Sequence, residues 1–132
     1  MCLINSEKAT EVWSEKHKDE KRVRAWKVLV KREGGLRAPC HSFGYHPGVN
    51  KAEHIPDLDY GYVIHISYGI HVFLTKEHAR GWCHFYEDDI IVPVWVKPDE
   101  LLGVNEEFAQ AVFRSLEIDE EDYKEALNVS MV

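Results

Sequence analysis

The sequence predicts a single α+β domain, residues 1–132, with a mixed, mainly antiparallel sheet of four to six strands and two or three helices. The chain has 132 residues, enough to bury about two-thirds of its surface without disulfide or metal support. Its hydrophobic share of 45% and charged share of 30% are typical of a globular protein. The predicted elements run strand, strand, helix, strand, without the repeated strand–helix alternation of a doubly wound fold.

The first half of the chain contains one clear strand and one long irregular segment. Residues 5–20 are mostly polar and fit either a helix with a thin apolar stripe or a loop, which would leave residues 1–20 loosely packed. The run Val23–Arg32 is rich in β-branched and aromatic residues and predicts a strand, followed by a turn at Glu33–Gly35. Residues 36–57 are rich in proline, glycine and histidine and predict an irregular surface segment with a short strand near Ser42–Tyr45.

The centre of the chain predicts a β-hairpin. Two apolar runs, 60–67 and 70–74, flank Tyr68-Gly69, which fits a two-residue turn with a positive φ at the glycine. Ile66 then lies opposite His71, and His65 and His71 point to opposite faces. A three-residue turn would instead place both histidines on one face.

Four further elements complete the prediction. They are a helix from Lys76 to about Phe85 capped by Thr75; a strand over 89–97, in which Pro93 indicates an edge position or a bulge; a helical turn from Pro98 ended by Gly103; and a short helix capped by Asp119. Residues 106–118 fit a helix through Phe108, Val112 and Leu116, and they also alternate well enough for a strand.

Charge and composition exclude several functions. Lys and Arg number 16 against 23 Asp and Glu, a formal charge of −7, which opposes binding to a nucleic-acid duplex. A basic stretch from Lys21 to Arg37 is either a solvated strand or a local anion site. No apolar run approaches a membrane span, and the start lacks the order of a signal peptide, so we expect a cytoplasmic protein. Three cysteines form no even framework, which predicts free thiols.

Metal and nucleophile chemistry have weak sequence support. The eight histidines lack the spacing of a helical zinc motif. A mixed sulfur–nitrogen metal site would need Cys40-His41 and Cys83-His84 together with His46. Adjacent residues seldom ligate one ion together. Cys2 would become an N-terminal nucleophile after removal of Met1, but the chain is too short for the stacked double sheet of such hydrolases. We predict no metal site.

Several short motifs resemble those of known families. The Met-Cys-Leu start, Trp26-Lys-Val-Leu, Leu36-Arg-Ala-Pro and Gly69-Ile-His-Val-Phe resemble a family of small bacterial and phage proteins without an assigned role. The order of the strands and the alanine-bearing helix is more distantly similar to the core of ADP-ribosyltransferase-type proteins.

The second resemblance implies an NAD-binding enzyme. It places the nicotinamide-stacking position near His71 or Phe73 and a late catalytic acid at Glu100 or Glu107. The family's first-strand His or Arg is missing, because Trp26-Lys27 stands there.

Two main functions follow from the sequence. The first is a binding module for a protein partner of phage or bacterial origin, with Tyr45, His46, Tyr62 and Tyr68 as interface residues, because tyrosine is enriched at interfaces. The alternative is an enzyme that binds NAD or a nucleotide, with His71, Phe73 and Glu100 as catalytic residues. A second alternative function is that of a metal-binding protein. The sequence predicts no oligomeric state.

Overall fold

A computed structural model describes residues 3–4, 6–32, 34–38, 43–52, 65–66, 69–82 and 89–128. Its elements are β1 (Leu3–Ile4), α1 (Glu7–His17), β2 (Val23–Arg32), β3 (Gly35–Arg37), β4 (Gly44–Tyr45), β5 (Gly48–Lys51), β6 (His65–Ile66), β7 (Ile70–Phe73), α2 (Lys76–Trp82), β8 (Asp89–Val96), a 3₁₀ turn (Pro98–Glu100), β9 (Leu101–Asn105), β10 (Gln110–Phe113), β11 (Ser115–Ile118) and α3 (Glu120–Leu127).

The predicted class, α+β with an antiparallel sheet, is confirmed. Among the described residues, nine strands form the main sheet: seven lie in the order β5-β11-β8-β2-β7-β10-β9, and β3 and β4 extend it beside β2. All strand pairs of the described residues are antiparallel, and three α-helices accompany them. The prediction of four to six strands is wrong, because short strands form in the segment after β2 and in the β9–β10 hairpin.

The central hairpin prediction is wrong. Ile66 pairs with Leu3 of β1 in a separate two-stranded sheet. Strand β7 lies between β2 and β10, and His71 pairs with Val112 rather than with Ile66. Gly69 does have a positive φ, +99°. Both edges of β7 are therefore taken by strands distant in sequence, which leaves no edge for β6.

The segment over 36–57 is less irregular than predicted. Gly35–Arg37 pairs with the end of β2, Gly44–Tyr45 pairs with β3, and Gly48–Lys51 pairs with β11. The predicted strand near Ser42–Tyr45 is confirmed at Gly44–Tyr45. Strands of two to four residues are too short to produce an alternating pattern that a sequence can reveal.

The prediction that Pro93 marks an edge or a bulge is wrong for the strand as a whole, although Pro93 itself is paired on one side only. Strand β8 lies between β2 and β11, and its register with β2 continues without a bulge from Asp89 to Val96. Its one registered pair with β11 joins Trp95 to Glu117. No residue of the described strands is paired with Pro93 on the β11 side. The N–H that proline lacks would therefore have made no interstrand hydrogen bond on that side.

Three local predictions have mixed outcomes. The helical turn after Pro98 is a 3₁₀ turn that ends at Glu100, and Gly103 is buried inside β9 instead of ending a helix. The ambiguous segment over 106–118 is a turn followed by β10 and β11, so the strand alternative is correct. Thr75 caps α2 as predicted, since its hydroxyl accepts from the His78 N–H at 3.2 Å.

Helices pack against both faces of the main sheet. On the face that we call the core face, Ala25 and Leu29 of β2 pack in one cluster with α1 and α3. Trp13 of α1 is buried there, and its ring lies edge-on to Phe113 with centroids 5.6 Å apart. The N-terminal helix is thus part of the core rather than a loosely packed segment. On the opposite face, α2 places Ala79 against Val28 and other apolar side chains.

Helix α1 also covers one edge of the sheet. Strand β9 is the last strand in the order, and its Val104 carbonyl accepts from the Ser6 N–H at 2.9 Å. The Val104 N–H donates to Thr10 Oγ1 at 3.0 Å. The first turn of α1 therefore supplies the hydrogen bonds that a further strand would supply, which protects this edge from pairing with another chain.

Candidate functional site

Three of the four tryptophans of the chain gather on the face opposite the core face. Trp26 and Trp82 pack beside the Val28, Phe73 and Ala79 cluster, and Trp95 shares the face because it pairs with Arg24, two residues before Trp26. All three tryptophans are only partly buried. We call the surface formed by Trp26, Trp82 and Trp95, with the side chains between them, the tryptophan face.

The middle of the tryptophan face is built from directly opposed residues. Trp26 pairs with Pro93 on one side and with Phe73 on the other. The Phe73 and Trp82 rings lie 6.2 Å apart between centroids. Because opposed residues share a face, Trp26 lies between Pro93 and Phe73 across three strands, and Trp82 at the end of α2 packs on Phe73.

Two arginines cover Trp95. The guanidinium carbons of Arg22 and Arg24 lie 4.0 Å and 3.8 Å from the centre of the Trp95 ring. The indole N–H of Trp95 donates to Asp119 Oδ2 at 3.0 Å. Asp119 is the N-cap of α3, as predicted, but its side chain makes no capping hydrogen bond and binds Trp95 instead. The side chain thus links α3 to the tryptophan face.

Each arginine has a carboxylate partner. Arg22 Nη1 donates to Glu117 Oε1 at 3.4 Å, and Arg24 Nη1 forms an ion pair with Asp122 Oδ2 at 3.8 Å. Arg24 Nη1 is shielded from solvent and has no hydrogen-bond acceptor. The side chains of Arg22 and Arg24 as wholes are 50% and 33% exposed.

The predicted basic stretch does not form one site. Its arginines at positions 22 and 24 lie on the tryptophan face, whereas Lys27 and Lys31 fall on the core face by strand alternation. Lys27 Nζ donates to the His71 carbonyl at 2.6 Å, and Lys31 Nζ donates to the Leu127 carbonyl at the end of α3. Lys27 and Lys31 therefore satisfy backbone acceptors, away from the arginines on the tryptophan face.

The predicted catalytic residues are brought together only in part. His71 and Phe73 are alternate residues of β7 and share the tryptophan face. Phe73 is 7% exposed and packs under α2, which leaves little ring surface for stacking a nicotinamide. Glu100 accepts a hydrogen bond from the Ser115 hydroxyl and has no hydrogen bond or ion pair with His71 among the described residues. Glu107 is exposed in the β9–β10 turn.

The predicted interface residues differ in their exposure to solvent. The expectation that Tyr45 is exposed is wrong: it is 7% exposed, lies 4.8 Å from the Phe43 ring, and burial raises the pKa of its hydroxyl. His46 is exposed, and its Nδ1 donates to the Pro47 carbonyl at 2.8 Å. Tyr62 and Tyr68 lie outside the described residues, as do Cys2, Cys40-His41 and Cys83-His84.

Four histidines whose side chains the structure describes, at positions 17, 46, 71 and 78, lie in different parts of the fold. His17 lies against Trp13 on α1, His78 lies at the start of α2, and His46 and His71 belong to different strand regions. Within the described ranges, no group of three or more His, Cys, Asp or Glu side chains has a metal-binding arrangement. None of the α-helices in these ranges has the length and apolar character needed to cross a bilayer.

Comparison with family models, curated proteins and solved structures found no significant match for this chain. The geometry of the tryptophan face therefore carries the functional argument.

Sequence reasoning missed all three tryptophans of this face and the two arginines, at positions 22 and 24, as site residues. A usable signal was present on β2, where Arg22, Arg24 and Trp26 occupy alternate positions and so share one face. The contribution of Trp95 depends on the pairing of β2 with β8, which a single strand does not specify.

Proposed function

We propose that this protein is a protein-binding module of bacterial or phage origin that binds its partner through the tryptophan face. The observation that carries the proposal is the gathering of three partly buried tryptophans and two stacked arginines on one face of the sheet. Tryptophan and arginine are the residue types most enriched among those that dominate binding energy at protein interfaces.

The arrangement of the face also suits binding without large rearrangement. The side chains stand on β2, β7 and β8, whose pairing fixes their spacing, and α2 supports the Trp82 end. Because rigid side chains lose little conformational freedom on binding, more of the contact energy appears as affinity.

An enzyme that binds NAD is the competing function, and the burial of Phe73 weighs against it. Thermal unfolding with NAD at millimolar concentration separates the two. Binding at 100 times Kd would add about 2.7 kcal/mol to the free energy of unfolding, which is easily detected. A clear shift with NAD would favour the enzyme and contradict our proposal.

The direct test uses site-specific photo-crosslinking. A benzophenone amino acid replaces Trp82 at one end of the tryptophan face, and a control carries it at Val12, which is 60% exposed on α1. Both proteins are irradiated in a bacterial lysate. We expect one discrete protein to crosslink from position 82 and not from position 12.

The captured protein is then purified, and its affinity is measured. Trp82→Ser should weaken binding by about 30-fold or more, the effect of losing a dominant interface residue. Val12→Ser should leave the affinity unchanged, and circular dichroism should show that both variants fold. The proposal is wrong if position 82 yields no specific crosslink, or if the two variants weaken binding equally.

A further inference from the structure

We propose that the outer edge of β5 binds an extended segment of the partner as an added β-strand, next to the tryptophan face. This inference rests on the proposed function and adds the kind of partner, a protein with an extended segment that is free to pair. It depends on three properties of β5: the direction of its backbone groups, the order of its position and its continuity with the tryptophan face.

Two residues of β5 direct their backbone hydrogen-bonding groups away from the sheet. Strand β5 lies at the end of the strand order opposite β9, and no described residue pairs with its outer side. The Ala52 N–H donates to the Arg114 carbonyl, just before β11, at 2.9 Å. Because alternate residues of an antiparallel strand bond to the same neighbour, the backbone groups of Val49 and Lys51 face outward. These N–H and C=O groups can therefore pair with a further strand.

The fold treats the two ends of the strand order differently. At β9, the first turn of α1 bonds the Val104 carbonyl and N–H, which closes that edge. At β5, the register with β11 continues through all four residues, without a bulge or a proline that would prevent pairing with a neighbour. An edge of this kind is the template that recognition by strand addition uses.

A buried asparagine holds β5 in place. Asn50 is 1% exposed, and its side-chain oxygen accepts from the His46 N–H at 2.9 Å. Its side-chain nitrogen donates to the His46 and Gly48 carbonyls at 2.8 Å and 3.1 Å. These bonds fix the turn that leads into β5. The edge is therefore ordered before a partner segment arrives, which reduces the cost of binding.

The edge is continuous with the tryptophan face. Val49 pairs with Glu117 of β11, and Glu117 pairs with Trp95 of β8. Because opposed residues share a face, Val49 lies on the side of the tryptophan face, where it is 45% exposed. An added strand would place alternate side chains on this side, and an apolar one beside Val49 would remove apolar surface from water. We therefore expect the partner segment to carry an apolar residue there.

A partner segment suits this edge better than a second copy of the chain. Four residues of edge bury far less than the roughly 1,200 Å² that a stable interface needs. Two copies paired through β5 about a two-fold axis normal to the sheet would leave their tryptophan faces side by side and uncovered. A partner that covers the tryptophan face and also lays a segment along β5 buries both surfaces together.

Hydrogen exchange of the free protein tests the edge itself. In NMR, the amide proton of Ala52 should be protected about 10-fold more than those of Val49 and Lys51, because Ala52 is bonded within the sheet and the other two face outward. Equal protection of all three amides would mean that the outer edge is already occupied, and it would overturn the proposal.

Crosslinking and two variants test the occupant. A benzophenone amino acid at position 49 should capture from the bacterial lysate the same protein that position 82 captures. Lys51→Pro removes an outward N–H and leaves the bonds to β11, whereas Lys51→Thr removes the same charge and keeps the N–H. We expect Lys51→Pro to bind the captured protein about 10-fold more weakly than Lys51→Thr does. Equal affinities of two folded variants, as judged by thermal unfolding, would overturn strand addition.

Hydrogen exchange of the complex gives a second measurement that needs no variant. The captured protein should protect the amide protons of Val49 and Lys51 at least 10-fold, because strand pairing removes both from solvent. A crosslink from position 49 to another copy of this chain would instead make the chain itself the occupant and overturn the partner assignment.

The two proposals fail in different ways. If the protein captured through position 82 leaves the Val49 and Lys51 amides unprotected, strand addition is wrong and the protein-binding function stands. If position 49 captures a protein that protects these amides but position 82 captures none, the edge site stands and binding through the tryptophan face is wrong. If neither position captures a protein, both proposals are wrong.

Discussion

Replacing Gly69 with alanine should destabilise the protein strongly, for two separable reasons. Gly69 has a φ of +99°, a conformation that residues with a Cβ rarely adopt. A Cβ built there would lie 2.6 Å from Val112 Cγ1, 2.9 Å from Leu102 Cδ1 and 3.3 Å from the Phe113 carbonyl oxygen. Val112 and Leu102 are buried, at 0% and 5% exposure, so neither side chain can swing into solvent.

The two effects give the expected magnitude. The left-handed backbone conformation costs alanine about 1 kcal/mol relative to glycine. Forcing a methyl group into an already packed site costs about 1–3 kcal/mol more. We therefore expect Gly69→Ala to lower the free energy of unfolding by about 3 kcal/mol. For a chain of this size that lowers Tm by roughly 10 °C.

Two other glycines provide matched controls. Gly34 has a φ of +79° but no atom within 4 Å of a built Cβ, so Gly34→Ala should cost only the backbone term, about 1 kcal/mol. Gly81 lies in α2 with no positive φ and with open space around a built Cβ. Gly81→Ala should stabilise the protein by about 0.5–1 kcal/mol through helix propensity.

Urea unfolding monitored by circular dichroism measures all three variants. A change in the midpoint at constant m-value isolates the effect on stability. If Gly69→Ala costs no more than Gly34→Ala, the close packing of Gly69 against β9 and β10 is not present in the folded protein, and this reasoning fails.

Three further predictions follow from the contacts: two concern single hydrogen bonds, and the third concerns the titration of one tyrosine. Thr10→Val removes the acceptor of the Val104 N–H and should cost about 1–3 kcal/mol in urea unfolding, and an unchanged midpoint would contradict the edge-covering role of α1. Trp95→Phe keeps a ring for the arginines but loses the N–H bond to Asp119, which should cost about 1 kcal/mol; no loss would mean that this bond does not hold α3. Burial raises the pKa of Tyr45 above its ordinary value of 10.0. The folded state therefore keeps this proton after the unfolded state loses it, so stability should fall as pH rises above about 10, by up to 1.4 kcal/mol per pH unit. Tyr45→Phe should remove that part of the fall, and an identical pH profile for both proteins would refute the assignment.

The sequence by itself determined the features that depend on neighbouring residues. The Val23–Arg32 strand, the Thr75 cap of α2 and the positive φ of Gly69 were all predicted, since alternation, capping and backbone sterics act over a few residues. The α+β class followed from the order of such local signals. Alternation on β2 also placed Arg24 and Trp26 on one face.

Only the tertiary structure decided which strands pair and what each face meets. The signal at Tyr68-Gly69 is the same whether the flanking strands pair with each other or, as observed, with β1 and β10. Tyr45 is buried because β4 joins the sheet beside β3. The tryptophan face likewise requires β8 to bring Trp95 beside Arg24, more than 70 residues away along the chain. Pairing energy belongs to two strands together, so the sequence of one strand does not specify it.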